Sequence, residues 1–103
     1  MKLEWTEPAL FDIESIRDYI KRDSEYYASQ FVERILEVTE NLVKFPELGR
    51  HVPESEDSNI REILLQNYRI IYRANPEHIL ILAVIHGARD LSQSNNSKPW
   101  DII

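Results

Sequence analysis

Residues 60–86 read IREILLQNYRIIYRANPEHILILAVIH, and this stretch decides the fold. Three runs rich in β-branched residues follow one another, joined by two connections of hairpin length. The runs are 60–65, 68–74 and 79–86, and the connections are Gln66-Asn67 and Asn75-Pro76-Glu77. The last run is apolar at nearly every position, so we expect it to be the central strand, covered on both faces.

Helical periodicity precedes these strands. Thr6 and Ser24 are placed to cap two helices, and the short interval at Asp23 and Ser24 predicts an antiparallel helical hairpin. The first apolar stripe is Ala9, Ile13, Ile16 and Ile20, and the second is Ala28, Phe31, Ile35, Val38, Leu42 and Phe45. Lys2–Trp5 alternates as an opening strand, and the proline-rich, acidic residues 46–59 predict a surface loop.

The predicted order is therefore β-α-α-β-β-β. Its fold class is α+β, with a helical hairpin packed on one face of a mainly antiparallel sheet. We expect one domain at residues 1–90 and a C-terminal tail at 91–103, whose apolar Trp100 should dock on another surface.

Composition excludes several classes of function. The chain has 103 residues, no cysteine and a net charge of −6, so disulfides, thiolate nucleophiles and cysteine-bound metals are impossible. We expect no cofactor and no metal. Residues 1–20 contain no signal peptide, and the apolar run 79–85 is too short for a membrane helix, which predicts a cytoplasmic protein without membrane contact. The acidic surface argues against broad nucleic-acid binding.

Four arginines near the predicted strands are candidate contacts with a target or a phosphate. Arg69 and Arg73 share one face of their strand, and Arg61 joins them if the strand register allows it. Guanidinium groups on one face can hold a phosphate or carboxylate. They can equally be edge residues paired with Glu62 and Glu77. The fourth candidate, Arg89, is predicted to be a sheet-end anchor or a target contact.

His86 closes the last strand, three positions before Arg89. A histidine there can move protons in RNA cleavage, or it can simply cap the edge of the core. No second acid or base stands at a defined spacing, which favours the structural role. Gly49 and Arg50 are predicted to be structural loop residues, with Arg50 bonding carbonyl groups at a helix end.

Five short stretches in this order resemble the RelE/ParE superfamily of type II toxin–antitoxin toxins, over residues 3–90. They are WTEPAL (5–10), FPELGR (45–50), IRE (60–62), YRIIYR (68–73) and VIHGARD (84–90). The resemblance implies a helical hairpin on a curved sheet. It also implies a cognate antitoxin that wraps the toxin with a segment that folds on binding.

The superfamily has two branches, and the fold does not choose between them. The RelE branch cuts mRNA in the ribosome, whereas the ParE branch poisons DNA gyrase without nuclease residues. Here Lys98 is the only lysine after residue 44, and no tyrosine follows His86. These departures from the RelE pattern favour a ParE-like toxin that binds gyrase. The alternative is a ribosome-dependent mRNA endoribonuclease using His86.

An antitoxin would form a hetero-oligomer with this chain. We expect its segment to lie along the helical hairpin and over an exposed sheet edge. The expected contacts are Phe31 and Ile35, from the second helical stripe, and Trp100, from the tail.

Overall fold

The computed structural model describes residues 1–93 and 98–102. Its elements follow the predicted order, with one additional short strand. They are β1 (Lys2–Trp5), α1 (Glu7–Lys21), α2 (Glu25–Lys44), β2 (Arg50–His51), β3 (Ile60–Leu65), β4 (Tyr68–Asn75) and β5 (His78–His86), with 3-10 turns at Leu91–Gln93 and Pro99–Ile102.

The sheet has five strands in the order β1-β5-β4-β3-β2. Only β1 and β5 run parallel, and the other three pairs are antiparallel. The α+β class, the mainly antiparallel sheet and both hairpins are therefore confirmed. The expectation that the last strand is central needs one correction, because β4 lies in the middle and β5 lies beside it.

Both predicted helix caps are present. The hydroxyl of Thr6 accepts a hydrogen bond from the Ala9 N–H, and that of Ser24 accepts one from the Tyr27 N–H, each at 3.2 Å. The Thr6 hydroxyl also lies 3.1 Å from the Ile81 carbonyl, to which it donates. The start of α1 is thereby tied to β5, which orients the hairpin on the sheet.

The sheet is covered on both faces. The hairpin covers one face, and the resulting main core contains Ala9, Phe31, Ile35, Leu42, Ile70, Tyr72, Ile79, Ile81 and Val84. The loop before β3 and the end of the chain cover the other face. This second core contains Val52, Ile60, Ile71, Leu82, Ala83, Ile85 and Leu91, with Leu80 and Trp100 packed against it.

A β-bulge explains why β5 is apolar without alternation. Ile71 lies opposite Ala83 and Tyr72 opposite Ile81, so Leu82 is an extra residue in β5. Leu82 and Ala83 consequently both face the second core. Burial on both faces, which the sequence predicted for this run, is confirmed.

Two details of the predicted pattern are wrong. Phe45 is 61% exposed, because α2 ends at Lys44 and the backbone leaves the helical conformation at Phe45. The loop predicted at 46–59 contains β2, which pairs with β3 through Arg50–Glu62 and His51–Arg61. Two exposed polar residues carry no strand periodicity, so only the backbone pairing identifies β2.

Among the described residues, no helix combines the length and apolar character needed to cross a bilayer.

Candidate functional site

The strand register separates the candidate arginines. Arg61 lies opposite Tyr72, so its side chain is on the face that the helices cover. Arg69 and Arg73 lie opposite Leu64 and Ile60, on the other face. The possibility that Arg61 joins Arg69 and Arg73 in one cluster is therefore wrong.

Arg69 is the centre of a buried ion-pair network and is only 4% exposed. Its Nε lies 2.6 Å from Glu62 Oε1, to which it donates. Its Nη1 and Nη2 donate to the two carboxylate oxygens of Glu54, at 2.9 and 2.7 Å. Because two carboxylates occupy this guanidinium, Arg69 is not an exposed contact for a target or a phosphate, and that expectation is corrected.

Glu62 extends the network to the sheet edge. This side chain is fully buried, and its Oε2 accepts a hydrogen bond of 2.7 Å from Arg50 Nε. Arg50 was expected to bond helix-end carbonyls, but it donates to this carboxylate instead. The Arg50 side chain is 60% exposed, so the rest of its guanidinium faces outward.

Glu54 joins two loops to the sheet. Beyond its bonds with Arg69, its Oε2 accepts from the Leu91 N–H at 3.1 Å. The hydrogen bonds from Arg69 are the main cause that lowers the pKa of Glu54 to about 2. The loop before β3 and the loop after β5 are therefore held together by one ionised carboxylate.

Sequence reasoning named Glu62 as a possible partner of the strand arginines, and the Arg69–Glu62 bond confirms that pairing, but it missed Glu54. Glu62 did carry a signal, since it interrupts the apolar pattern of a strand and occupies a buried position. Glu54 carried none, because it is one of several acidic residues in a polar loop.

Arg89 is exposed, but its backbone is fixed. Its carbonyl oxygen accepts a hydrogen bond of 2.9 Å from Arg69 Nη1. An open polar cleft of about 410 Å³ is lined by Arg50 and Arg89, together with Gly87 and Ser92. The structure therefore brings together Arg89 and Arg50, a pairing that the sequence did not suggest.

Asp12, on α1, contacts β5 and feels the charge of Arg89. Burial is the main cause that raises its pKa, while a hydrogen bond from the Val84 N–H and the charge of Arg89 act in the opposite direction. The bond to Val84 measures 3.0 Å and satisfies a backbone donor of β5 beyond the end of β1.

Arg73 lies at the far end of β4 from this cleft. Its Nη2 donates to the Trp100 carbonyl at 3.1 Å. Its Nε is buried and has no hydrogen-bond partner within the described part of the chain. Arg73 thus holds the turn at 98–102 on the sheet.

His86 is exposed at the end of β5. Its Nδ1 accepts from the Ala88 N–H at 3.1 Å, and its ring packs edge-on against Tyr68. In residues 1–93 and 98–102, no hydrogen bond or ion pair joins it to a second titratable side chain. The same residues contain no group of three or more His, Asp or Glu side chains able to hold a metal ion.

Gly49 sits in a turn that is held by Tyr72 and Arg61. The Gly49 N–H donates to the Tyr72 hydroxyl at 2.9 Å, and that hydroxyl donates to the Pro46 carbonyl at 2.8 Å. Arg61 Nη1 donates to the Gly49 carbonyl at 2.7 Å. A Cβ at Gly49 would lie 2.6 Å from the carbonyl oxygen of Glu62, so only glycine fits.

Two of the three expected antitoxin contacts are buried within this chain. Phe31 and Ile35 are 2% and 0% exposed, so they belong to the main core and cannot face a partner. Trp100 is half-buried against the second core of its own chain. The apolar side chains that α1 and α2 do expose include Leu10, Phe11, Tyr26, Tyr27 and Leu36.

The chain is similar in sequence to known toxins over most of its length. Residues 3–91 match the family described as the ParE toxin of the type II toxin–antitoxin system parDE. Toxin ParE3 of Caulobacter vibrioides is 28% identical over 94 residues, which cover 90% of this chain and 93% of ParE3. Toxin RelE2 of the same organism is 31% identical over 86 residues, or 82% of this chain and 93% of RelE2.

Two solved structures share the fold. The chromosomal ParDE system of P. aeruginosa aligns with a TM-score of 0.68 and 27% identity, covering 84% of this chain and 95% of that one. The toxin–antitoxin complex RelBE2 of Mycobacterium tuberculosis aligns with a TM-score of 0.55 and 20% identity, covering 82% and 95%.

The fold and these matches define a type II toxin of the RelE/ParE superfamily. Within it, the chain belongs to the ParE toxin family.

Proposed function

We propose that this chain is a ParE-like toxin that inhibits DNA gyrase by binding it, without cutting RNA. In this proposal it acts in the cytoplasm, and a cognate antitoxin neutralises it by forming a hetero-oligomer. The family match supports the class of protein, and the arrangement of the arginines supports the mode of action.

The observation that carries the proposal is the occupied guanidinium of Arg69. RNA cleavage through the 2′-hydroxyl needs a base, an acid and cations that are available to the phosphate. Arg69 is buried and bonded to both Glu54 and Glu62. In the described ranges no hydrogen bond or ion pair joins His86 to a second titratable side chain, so the groups for proton transfer are also incomplete.

We assign the target contact to the cleft between Arg50 and Arg89. Both side chains are exposed. Glu62 holds the Arg50 guanidinium, and Arg69 holds the backbone of Arg89 through its carbonyl. A preorganised guanidinium loses little entropy when it binds a carboxylate or an amide of a protein target.

We place the antitoxin on the outer surface of the helical hairpin. Leu10, Phe11 and Leu36 expose apolar side chains there, between 46% and 68% of each being accessible. Such side chains favour an amphipathic partner segment. The two structural neighbours are themselves toxin–antitoxin systems, which supports a partner of this kind.

The alternative is a RelE-like endoribonuclease. The likeness to RelE2 favours it, as does the position of His86 close in sequence to Arg89 at the end of β5. In that case the cleavage chemistry would depend on His86.

One experiment separates the two functions. The chain is expressed without antitoxin, and plasmid supercoiling and transcript integrity are followed together; the purified chain is also added to purified gyrase. We expect loss of supercoiling with intact transcripts, unchanged by His86→Ala. Rapid transcript cleavage that disappears in His86→Ala would replace the gyrase proposal with the nuclease.

A further inference from the structure

An open cleft of about 960 Å³ lies beside the C-terminal end of α2 and reaches β2 and β3. Part of its lining is apolar and exposed: Phe45 is 61% accessible, Leu48 57% and Met1 53%. Three large apolar side chains exposed around one cleft are typical of an interaction surface. We call this the Phe45 cleft.

The Phe45 cleft is cationic, although the protein is acidic. Lys44 and Arg61 line it, and His51 adds ring nitrogens, whereas Glu47 is the single carboxylate among its lining residues. The whole chain carries a net charge of −6. Because a cleft concentrates the field of the charges that line it, this cleft attracts an anionic group although the protein as a whole is acidic.

The walls of the cleft are held in place before any ligand arrives. The buried Tyr72 hydroxyl fixes Pro46 and Gly49, and Arg61 Nη1 is bonded to the Gly49 carbonyl. The other nitrogens of Arg61 make no hydrogen bond to the residues that the structure describes, so they can donate to a ligand. A preformed site of this kind loses little conformational entropy when a ligand binds.

The position of the cleft favours a peptide. It opens beside β2, which is one of the two edge strands of the sheet. An edge strand presents unpaired backbone donors and acceptors, along which an extended segment can lie while alternate side chains enter a neighbouring cleft.

We propose that the Phe45 cleft binds an acidic segment of a partner protein. In this arrangement an apolar side chain of the partner packs against Phe45 and Leu48, and a neighbouring carboxylate binds Arg61 and Lys44. The cleft lies apart from the Arg50–Arg89 cleft, so the inference holds whichever target the toxin inhibits.

In the first test, peptides that bind the intact protein are selected from a displayed library of random sequences. Peptides that also bind the Phe45→Ala variant are then removed. Peptides that need Phe45 are expected to combine an aromatic residue or leucine with an excess of Asp and Glu. Recovery of basic or neutral peptides, or of none that depends on Phe45, would overturn the inference.

The second test measures the affinity of an enriched peptide by fluorescence anisotropy. Lys44→Glu is expected to weaken binding by roughly tenfold, and high salt should weaken it further. Lys21→Glu is the matched control, because Lys21 is also in the last turn of a helix but lies outside the cleft. Equal effects of the two substitutions would contradict the proposal.

Sedimentation velocity tests the other possible occupant, a second copy of this chain. We expect the purified chain to sediment identically with and without Phe45→Ala. A dimer that Phe45→Ala converts to a monomer would show that the cleft is a self-interface and would overturn the proposal.

Discussion

Arg69 and Glu54 form a two-pronged buried ion pair, with Nη2–Oε1 at 2.7 Å and Nη1–Oε2 at 2.9 Å. The pair joins β4 to the loop before β3, and its partner Glu62 joins β4 to β3. Removing these charges from water costs free energy. The hydrogen bonds that Arg69 donates to carboxylate and carbonyl oxygens offset that cost. Arg69, which the sequence suggested as a target contact, therefore has a structural role in the fold.

Replacing Arg69 should destabilise the protein severely. Arg69→Ala leaves Glu62 buried with one remaining partner, and we expect the free energy of unfolding to fall by about 3 kcal/mol. Urea denaturation measures this change. Arg34→Ala, on the exposed side of α2, is the control and should change stability by less than about 0.5 kcal/mol. Comparable losses in the two variants would show that the network contributes little.

The low pKa of Glu54 predicts a loss of stability in acid. Because the pKa is about 2 in the folded protein and ordinarily 4.5, the folded state binds this proton less readily than the unfolded state. Glu54 therefore contributes its full stabilisation above its ordinary pKa, and the contribution disappears as the pH falls from about 5 towards 2. Unfolding free energies across this range should fall more steeply for the parent protein than for Glu54→Gln. Parallel curves would rule out this linkage.

The hydroxyl of Tyr72 should stabilise the turn at residues 45–49. Tyr72→Phe removes its bonds to Gly49 and Pro46 in a buried site, and we expect a loss of about 2 kcal/mol. The control is Tyr68→Phe, since the Tyr68 hydroxyl makes no hydrogen bond within residues 1–93 and 98–102. The prediction fails if thermal denaturation shows equal midpoints for both variants.

Arg89→Ala should separate function from stability. Its side chain is exposed, and its bond to Arg69 uses only the backbone carbonyl, so the melting temperature should stay within a degree or two. If Arg89 contacts the target, inhibition of gyrase should weaken by roughly tenfold or more. Arg34→Ala serves again as the control. Full inhibition by Arg89→Ala would exclude Arg89 from the target contact.

Trp100 should stabilise the second core from the end of the chain. Trp100→Ala removes a half-buried ring that packs there, and we expect the free energy of unfolding to fall by about 2 kcal/mol. Leu64→Ala, at a side chain that is 53% exposed, should cost much less. An unchanged urea midpoint for Trp100→Ala would mean that this contact adds no stability.

Much of the fold was predictable because the local signals agree with one another. Thr6 and Ser24 begin helices where their hydroxyls can accept the first backbone donors, and Gln66-Asn67 joins two strands of matching length. Phe45 shows where prediction from helical periodicity fails. Its spacing continues the apolar stripe of α2, but the helix ends one residue earlier, so its side chain is exposed.

The candidate site was less predictable, because its members are distant in the chain. Glu54 and Arg69 are bonded, yet fifteen positions separate them, and no spacing rule connects a loop carboxylate with a strand arginine. Arg50 and Arg89 meet at one cleft only after β2 has paired with β3 and the end of β5 has been tied down.

The sequence by itself determined the order of the two helices and of every strand except β2, the helix that each cap begins and the apolar character of β5, since all of these depend on neighbouring residues. Only the tertiary structure decided which arginines are buried and which are exposed. A guanidinium takes its role from the carboxylates that surround it, and register, burial and the closing loops bring those carboxylates to Arg69 while leaving Arg89 in solvent.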